Sequence, residues 1–146
     1  MTNGEFSVDT KTGVVVFCQK AHGVSFISTS SEHNLENFNV GVGQLIAMKR
    51  NEIKIRKADI EEMRKVVEEL SKHSFTGVGR KLYTNFQQIT HEKINASLNH
   101  IRELNQDLKS LYNGTYEKIP EEVKSGEKAY AIVNGSVAIV DNPYKK

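Results

Sequence analysis

At 146 residues, with 20 Lys and Arg against 18 Asp and Glu and a formal net charge of +2, the chain is the size of one domain and lacks the strongly basic balance of a general nucleic-acid coat. Leu, Ile, Val and Phe make up about a quarter of it, above the roughly 20% below which disorder is expected, so it folds around a core. Its single cysteine, Cys18, excludes an internal disulfide framework and a Cys-rich zinc site.

Along the chain, the first segments are rich in β-formers: Glu5-Phe6-Ser7-Val8, then Gly13 to Cys18, then Val24-Ser25-Phe26-Ile27. Asp9-Thr10-Lys11-Thr12 and Ala21-His22-Gly23 break them, which predicts strands within residues 5–28. Residues 28–39 are polar, and Asn39 or an earlier Asn is placed to cap a helix. Gly and Pro are then absent from residues 44–76 and again from 80–113. In the first block Ile46, Ile53, Ile60, Met63, Val67 and Leu70 recur at helical spacing. In the second, Leu82, Phe86 and Ile89 open a stripe that Ile94, Leu98, Ile101, Leu104, Leu108 and Leu111 continue. This predicts helices over about 40–73 and 80–113, each roughly 45 Å long at 1.5 Å per residue, with Gly77-Val78-Gly79 as the turn between them.

Residues 115–126 contain Pro120 and read as a loop with a short turn at Glu121-Glu122-Val123. Two apolar runs then flank Asn134-Gly135, a pair that tolerates the positive φ of a type I′ turn, so residues 128–141 form a hairpin. An antiparallel helix pair brings both chain ends to the same place. The predicted fold is α+β, one domain over residues 1–146, with a long antiparallel helical hairpin and a small antiparallel sheet shared by the N- and C-terminal strands. Each helix of such a hairpin buries only one stripe, so self-association is expected.

The first stripe carries an oddity. Lys49 and Arg56 hold seam positions between Ile46, Ile53 and Ile60, within a run of five cations and one anion from Lys49 to Lys57. A cation on an apolar seam is costly to bury alone. These side chains either line an anion site or pair with carboxylates of the second helix, their stems covering apolar surface. Gly77-Val78-Gly79-Arg80-Lys81 is a second cationic point, where helix N–H groups suit an anion, although it lacks the Gly-Lys-Ser/Thr ending of a P-loop. Tyr112, Tyr116, Tyr130, Asn113 and Asn134 cluster near the end of the second helix and beyond, residue types that stack on a base and read its edge. They equally suit a packed junction of helix and sheet. His22, His33, His73, His91 and His100 have no metal-ligand spacing. Cys18 and His22 read as a small thiol and a turn residue rather than a nucleophile and base. No catalytic motif, cofactor or metal site is expected.

The order Gly23-Val24-Ser25, a polar stretch to Phe38-Asn39, then Gly43-Gln44-Leu45-Ile46-Ala47-Met48-Lys49-Arg50 resembles the phage sponge family that counters the bacterial Thoeris defence. The resemblance implies a non-enzymatic protein that sequesters a cyclic ADP-ribose or cyclic oligonucleotide signal, and a homo-oligomer, dimer or hexamer. It assigns phosphate contacts to Arg50, Arg56 and Lys57, with Arg80 and Lys81 second, and base contacts to Tyr112, Tyr116 and Asn134. No Arg follows Arg102, so Lys128 or a helix arginine would take the stacking role. Lys49 joins the candidate ligand-binding set through its seam position. The alternative function is helix-mediated protein–protein interaction. Nucleic acid, held on the Lys49 to Lys57 face, is a weaker third reading. No run approaches the ~18 apolar residues of a membrane span and the first residues lack signal-peptide character, so the expected site of action is the bacterial host cytoplasm, without a membrane partner.

Overall fold

Three short strands form first because β-branched and aromatic side chains alternate there and tight turns follow them. The computed structural model describes residues 4–145. In it β1 (Gly4–Asp9), β2 (Val14–Ala21) and β3 (Val24–Ser31) make an antiparallel sheet in chain order. His22 and Gly23 both take positive φ, 53° and 76°, and so close β2 onto β3 in a two-residue turn. Val15 and Phe17 of β2 point inward and are buried, with Ala47 of the following helix against them. Phe6 stacks on Phe17 at a centroid distance of 4.8 Å.

Helix α1 (Val40–Ser71) is capped by Asn39, whose Oδ1 accepts the Val42 N–H at 3.1 Å, while its Nδ2 donates to the Val123 and Lys124 carbonyls. Gly43 lies in the first turn, and a Cβ there would stand 2.8 Å from Val15 Cγ2; the missing side chain lets the helix approach the sheet. Further on, the buried Asn51 accepts a hydrogen bond from Ser28 Oγ at 3.0 Å. Helix α2 (Gly77–Asn113) follows after residues 72–76. The turn therefore precedes Gly77-Val78-Gly79, and those residues open α2 instead of separating the helices; a positive φ of 57° at Gly77 serves that start. The short α3 (Glu121–Lys124) falls at the turn expected there.

Strands β4 (Lys128–Val133) and β5 (Ser136–Asp141) pair around Asn134-Gly135, whose φ values of 52° and 76° are those of the expected turn. The fold is α+β with long helices, as read from the pattern. The expected shared sheet is not formed: β4–β5 is a second, separate two-stranded sheet. Gln44 supplies the physical reason. Its buried side-chain amide donates to the Tyr130 carbonyl and accepts the Tyr130 N–H, both at 2.7 Å. A glutamine from α1 thus satisfies two of the edge groups of β4 that a neighbouring strand would otherwise take.

The chain divides into two compact units: Met1–Glu52 with Gln106–Lys146, and Ile53–Asn105. The first holds both sheets, α3, the start of α1 and the end of α2. The second is the helical hairpin around residues 72–76. Among the described residues, no helix is long and apolar enough to cross a membrane.

Candidate functional site

Helical spacing sets one wall of a cleft in the first unit. Val42, Ile46 and Arg50 recur every four residues on α1 and so share a face. The end of α2 contributes Leu111, Tyr112 and Asn113, and the end of β3 with the following linker contributes Ser30, Glu32, Asn37 and Phe38. The space enclosed is about 540 Å³, within the roughly 300–1,000 Å³ of small-molecule pockets.

Arg50 dominates its electrostatics. Nε and Nη2 donate to the Tyr112 hydroxyl at 3.0 and 2.7 Å, Nη1 donates to the Thr29 carbonyl at 2.6 Å, and the guanidinium lies 5.4 Å from the Tyr112 ring centroid. All three hydrogen bonds end on neutral oxygens. The charge is therefore oriented but not neutralised by them, and two of the five guanidinium N–H groups remain for another acceptor. Glu32 brings a carboxylate to the same cleft, accepting the Asn34 N–H at 3.0 Å, a group suited to hydroxyl or amino donors.

The neighbouring cation behaves differently. Lys49 Nζ donates to Asp107 Oδ2 at 3.1 Å and lies 5.2 Å from the Tyr116 ring centroid. Burial works against the ammonium, but the Asp107 hydrogen bond and Tyr116 outweigh it, and Lys49 titrates above its ordinary value. Of the two possibilities for this seam position, pairing with a carboxylate of the second helix is the one observed. Lys49 does not line the cleft.

The structure therefore brings Arg50 and Tyr112 together and separates off the other candidates. Tyr116 lines a small recess of about 60 Å³ with Ile119 and Lys124. Asn134 is exposed, and its positive φ belongs to the β4–β5 turn. Arg56, Lys57, Arg80 and Lys81 belong to the second unit; Arg56 is half-buried and the other three are exposed. Lys128, the possible stacking cation, pairs with Asp141.

Two further clefts occur. One of about 540 Å³ shares Asn37 to Asn39 and adds Lys124, Asn142, Tyr144 and Lys145, although Lys145 faces Glu127 at 4.0 Å. The other, about 600 Å³, lies in the second unit, where the charges of Arg64 and Glu68 offset one another beside Val67, Thr90 and Ile94. Sequence reasoning missed Thr29, which contributes only the backbone carbonyl of a β3 residue, and it missed Glu32 and Asn37 because nothing periodic marks a linker. Phe38 did carry a signal, since it stands in the stretch on which the resemblance rests. Among the described residues no group of three or more His, Cys, Asp or Glu could hold a metal ion. Compared with protein-family models, with curated proteins and with solved structures, the chain matches none.

Proposed function

We propose that this chain is a non-enzymatic binder, of the phage anti-defence type, that takes up a small cyclic nucleotide in the Arg50–Tyr112 cleft and withholds it without turnover. The ligand class is a cyclic ADP-ribose or cyclic oligonucleotide signal, and the place of action is the cytoplasm of a bacterial host. The observation that carries this reading is Arg50, a guanidinium whose hydrogen bonds end on neutral oxygens at the wall of a cleft of nucleotide size. A phosphate would supply the missing charge through charge-assisted hydrogen bonds. Phe38 and Tyr112 offer rings for a base, at about 1–3 kcal/mol per stacked base, and Asn37, Asn113 and Glu32 offer partners for base edges and ribose hydroxyls. The resemblance adds self-association into a dimer or hexamer.

Calorimetric titration with a cyclic ADP-ribose isomer and a cyclic dinucleotide tests this, followed by denaturation of the complex and mass analysis of what is released. Saturable binding with recovery of intact ligand is the expected result. Absence of heat for both ligands, or recovery of a cleaved product, overturns the reading.

A further inference from the structure

We propose that the Ser30 hydroxyl forms part of the floor of the Arg50–Tyr112 cleft and, together with Arg50, holds one phosphate of the ligand. The inference rests on the binding reading above, to which it adds a residue and the ligand group that this residue meets.

Strand alternation turns Ser28 and Ser30 of β3 to the same side, and both are buried, at 3% and 7% exposure, while Thr29 and Ser31 are exposed. Two small polar side chains thus face inward, where a strand ordinarily brings apolar ones. Their partners differ. Ser28 Oγ donates to Asn51 Oδ1 at 3.0 Å. Ser30 Oγ has no hydrogen-bond partner among the described residues.

The reason lies on α1. Gly43, Ala47 and Asn51 recur every four residues and so share a face. Asn51 answers Ser28 with a side-chain amide, whereas Gly43 stands by Ser30 with no side chain at all; a Cβ there would lie 3.7 Å from Ser30 Oγ. Among the described residues, every side-chain oxygen and nitrogen shut off from solvent has a partner. An unpartnered hydroxyl on a residue that lines the cleft, as Ser30 and Gly43 both do, therefore opens onto its space. A hydroxyl so enclosed is costly to leave unbonded, and a ligand group that reaches the floor relieves this.

Its position selects a phosphate. Thr29, whose carbonyl accepts Arg50 Nη1 at 2.6 Å, is the residue directly before Ser30. One peptide unit thus joins the anchor of the guanidinium to the free hydroxyl. A group that meets both must present two acceptor oxygens close together and a negative charge for Arg50. A phosphate does so, one oxygen accepting the Ser30 O–H and another a remaining Arg50 N–H. A base edge or a ribose hydroxyl brings no charge to Arg50.

Calorimetric titration of Ser30→Ala, Arg50→Ala and the double variant, with the cyclic ADP-ribose isomer and the cyclic dinucleotide, tests this. Ser30→Ala is expected to weaken binding about tenfold or more. The loss in the double variant is expected to fall short of the product of the two single losses, because both side chains hold one phosphate. Thermal midpoints of the ligand-free variants supply a second readout. Ser30→Ala should keep the wild-type midpoint, whereas Ser28→Ala, which takes a donor from the buried Asn51, should lower it. Wild-type affinity in Ser30→Ala, or single losses that multiply in full, overturns this inference and leaves the binding reading in place. A Ser30→Ala midpoint lowered as far as that of Ser28→Ala shows the hydroxyl to be bonded within the chain and overturns it as well. A wild-type chain that binds neither ligand overturns the binding reading, and this inference with it.

Discussion

Adjacent cations, Lys49 and Arg50, meet opposite fates. The first ends on a carboxylate and the second on neutral oxygens, so under the proposed function Lys49 serves stability and Arg50 serves the ligand. Arg50→Ala should weaken nucleotide binding about tenfold to a hundredfold, the loss of one or two charged hydrogen bonds at ~1.5–3 kcal/mol. Arg50→Lys should not restore it, because a single ammonium cannot span the Tyr112 hydroxyl, the Thr29 carbonyl and a ligand oxygen together. Titration calorimetry of both variants checks this. Lys49→Ala should leave affinity nearly unchanged but lower stability by about 1–3 kcal/mol, since Asp107 loses its partner. The pH dependence follows from the sign of the Lys49 shift. Its folded-state value is raised, so the contribution is complete below the ordinary value of 10.5 and is lost as pH rises above it. Urea midpoints for wild type and Lys49→Ala should therefore differ most near neutrality and converge as the pH rises through the raised folded-state value of Lys49.

At the scale of elements, the C-terminal hairpin stands apart as a sheet because a side chain, not a strand, meets its edge. Gln44→Ala removes both contacts to Tyr130 and leaves a half-buried peptide group without them. A loss of about 2–4 kcal/mol is expected, with the largest rise in hydrogen-exchange rate at the Tyr130 amide. An unchanged rate there would mean that the hairpin is held by other contacts. The hairpin itself was legible in advance, since Asn134-Gly135 demands a turn whatever surrounds it. Its docking was not, because a glutamine reads as an ordinary helix former until its neighbours are known. The same holds for the helix turn: Gly77 and Gly79 mark a break in helix propensity, but whether a glycine ends one helix or opens the next depends on local backbone angles.

For the whole molecule, the stretch from Glu61 to His100 keeps its apolar side chains partly or fully in water, and the self-association proposed above would couple their burial to folding. Thermal unfolding should then depend on protein concentration, the midpoint rising by about 2–4 °C per tenfold increase for a chain of this size. A midpoint constant over a hundredfold range of concentration would show that the hairpin is stable alone.

The sequence by itself determined the elements and the α+β class, because periodicity, glycine placement and turn chemistry act over a few residues and need no distant partner. It also named Arg50 and Tyr112, among nine candidate ligand-binding residues. Only the tertiary structure decided that these two share a cleft while Lys49 is neutralised by Asp107, and that the strands form two sheets. Those outcomes rest on contacts between residues some sixty to eighty positions apart in the chain, Lys49 with Asp107, Arg50 with Tyr112, Gln44 with Tyr130, and pairing at that range is set by the packing of whole elements rather than by any local preference.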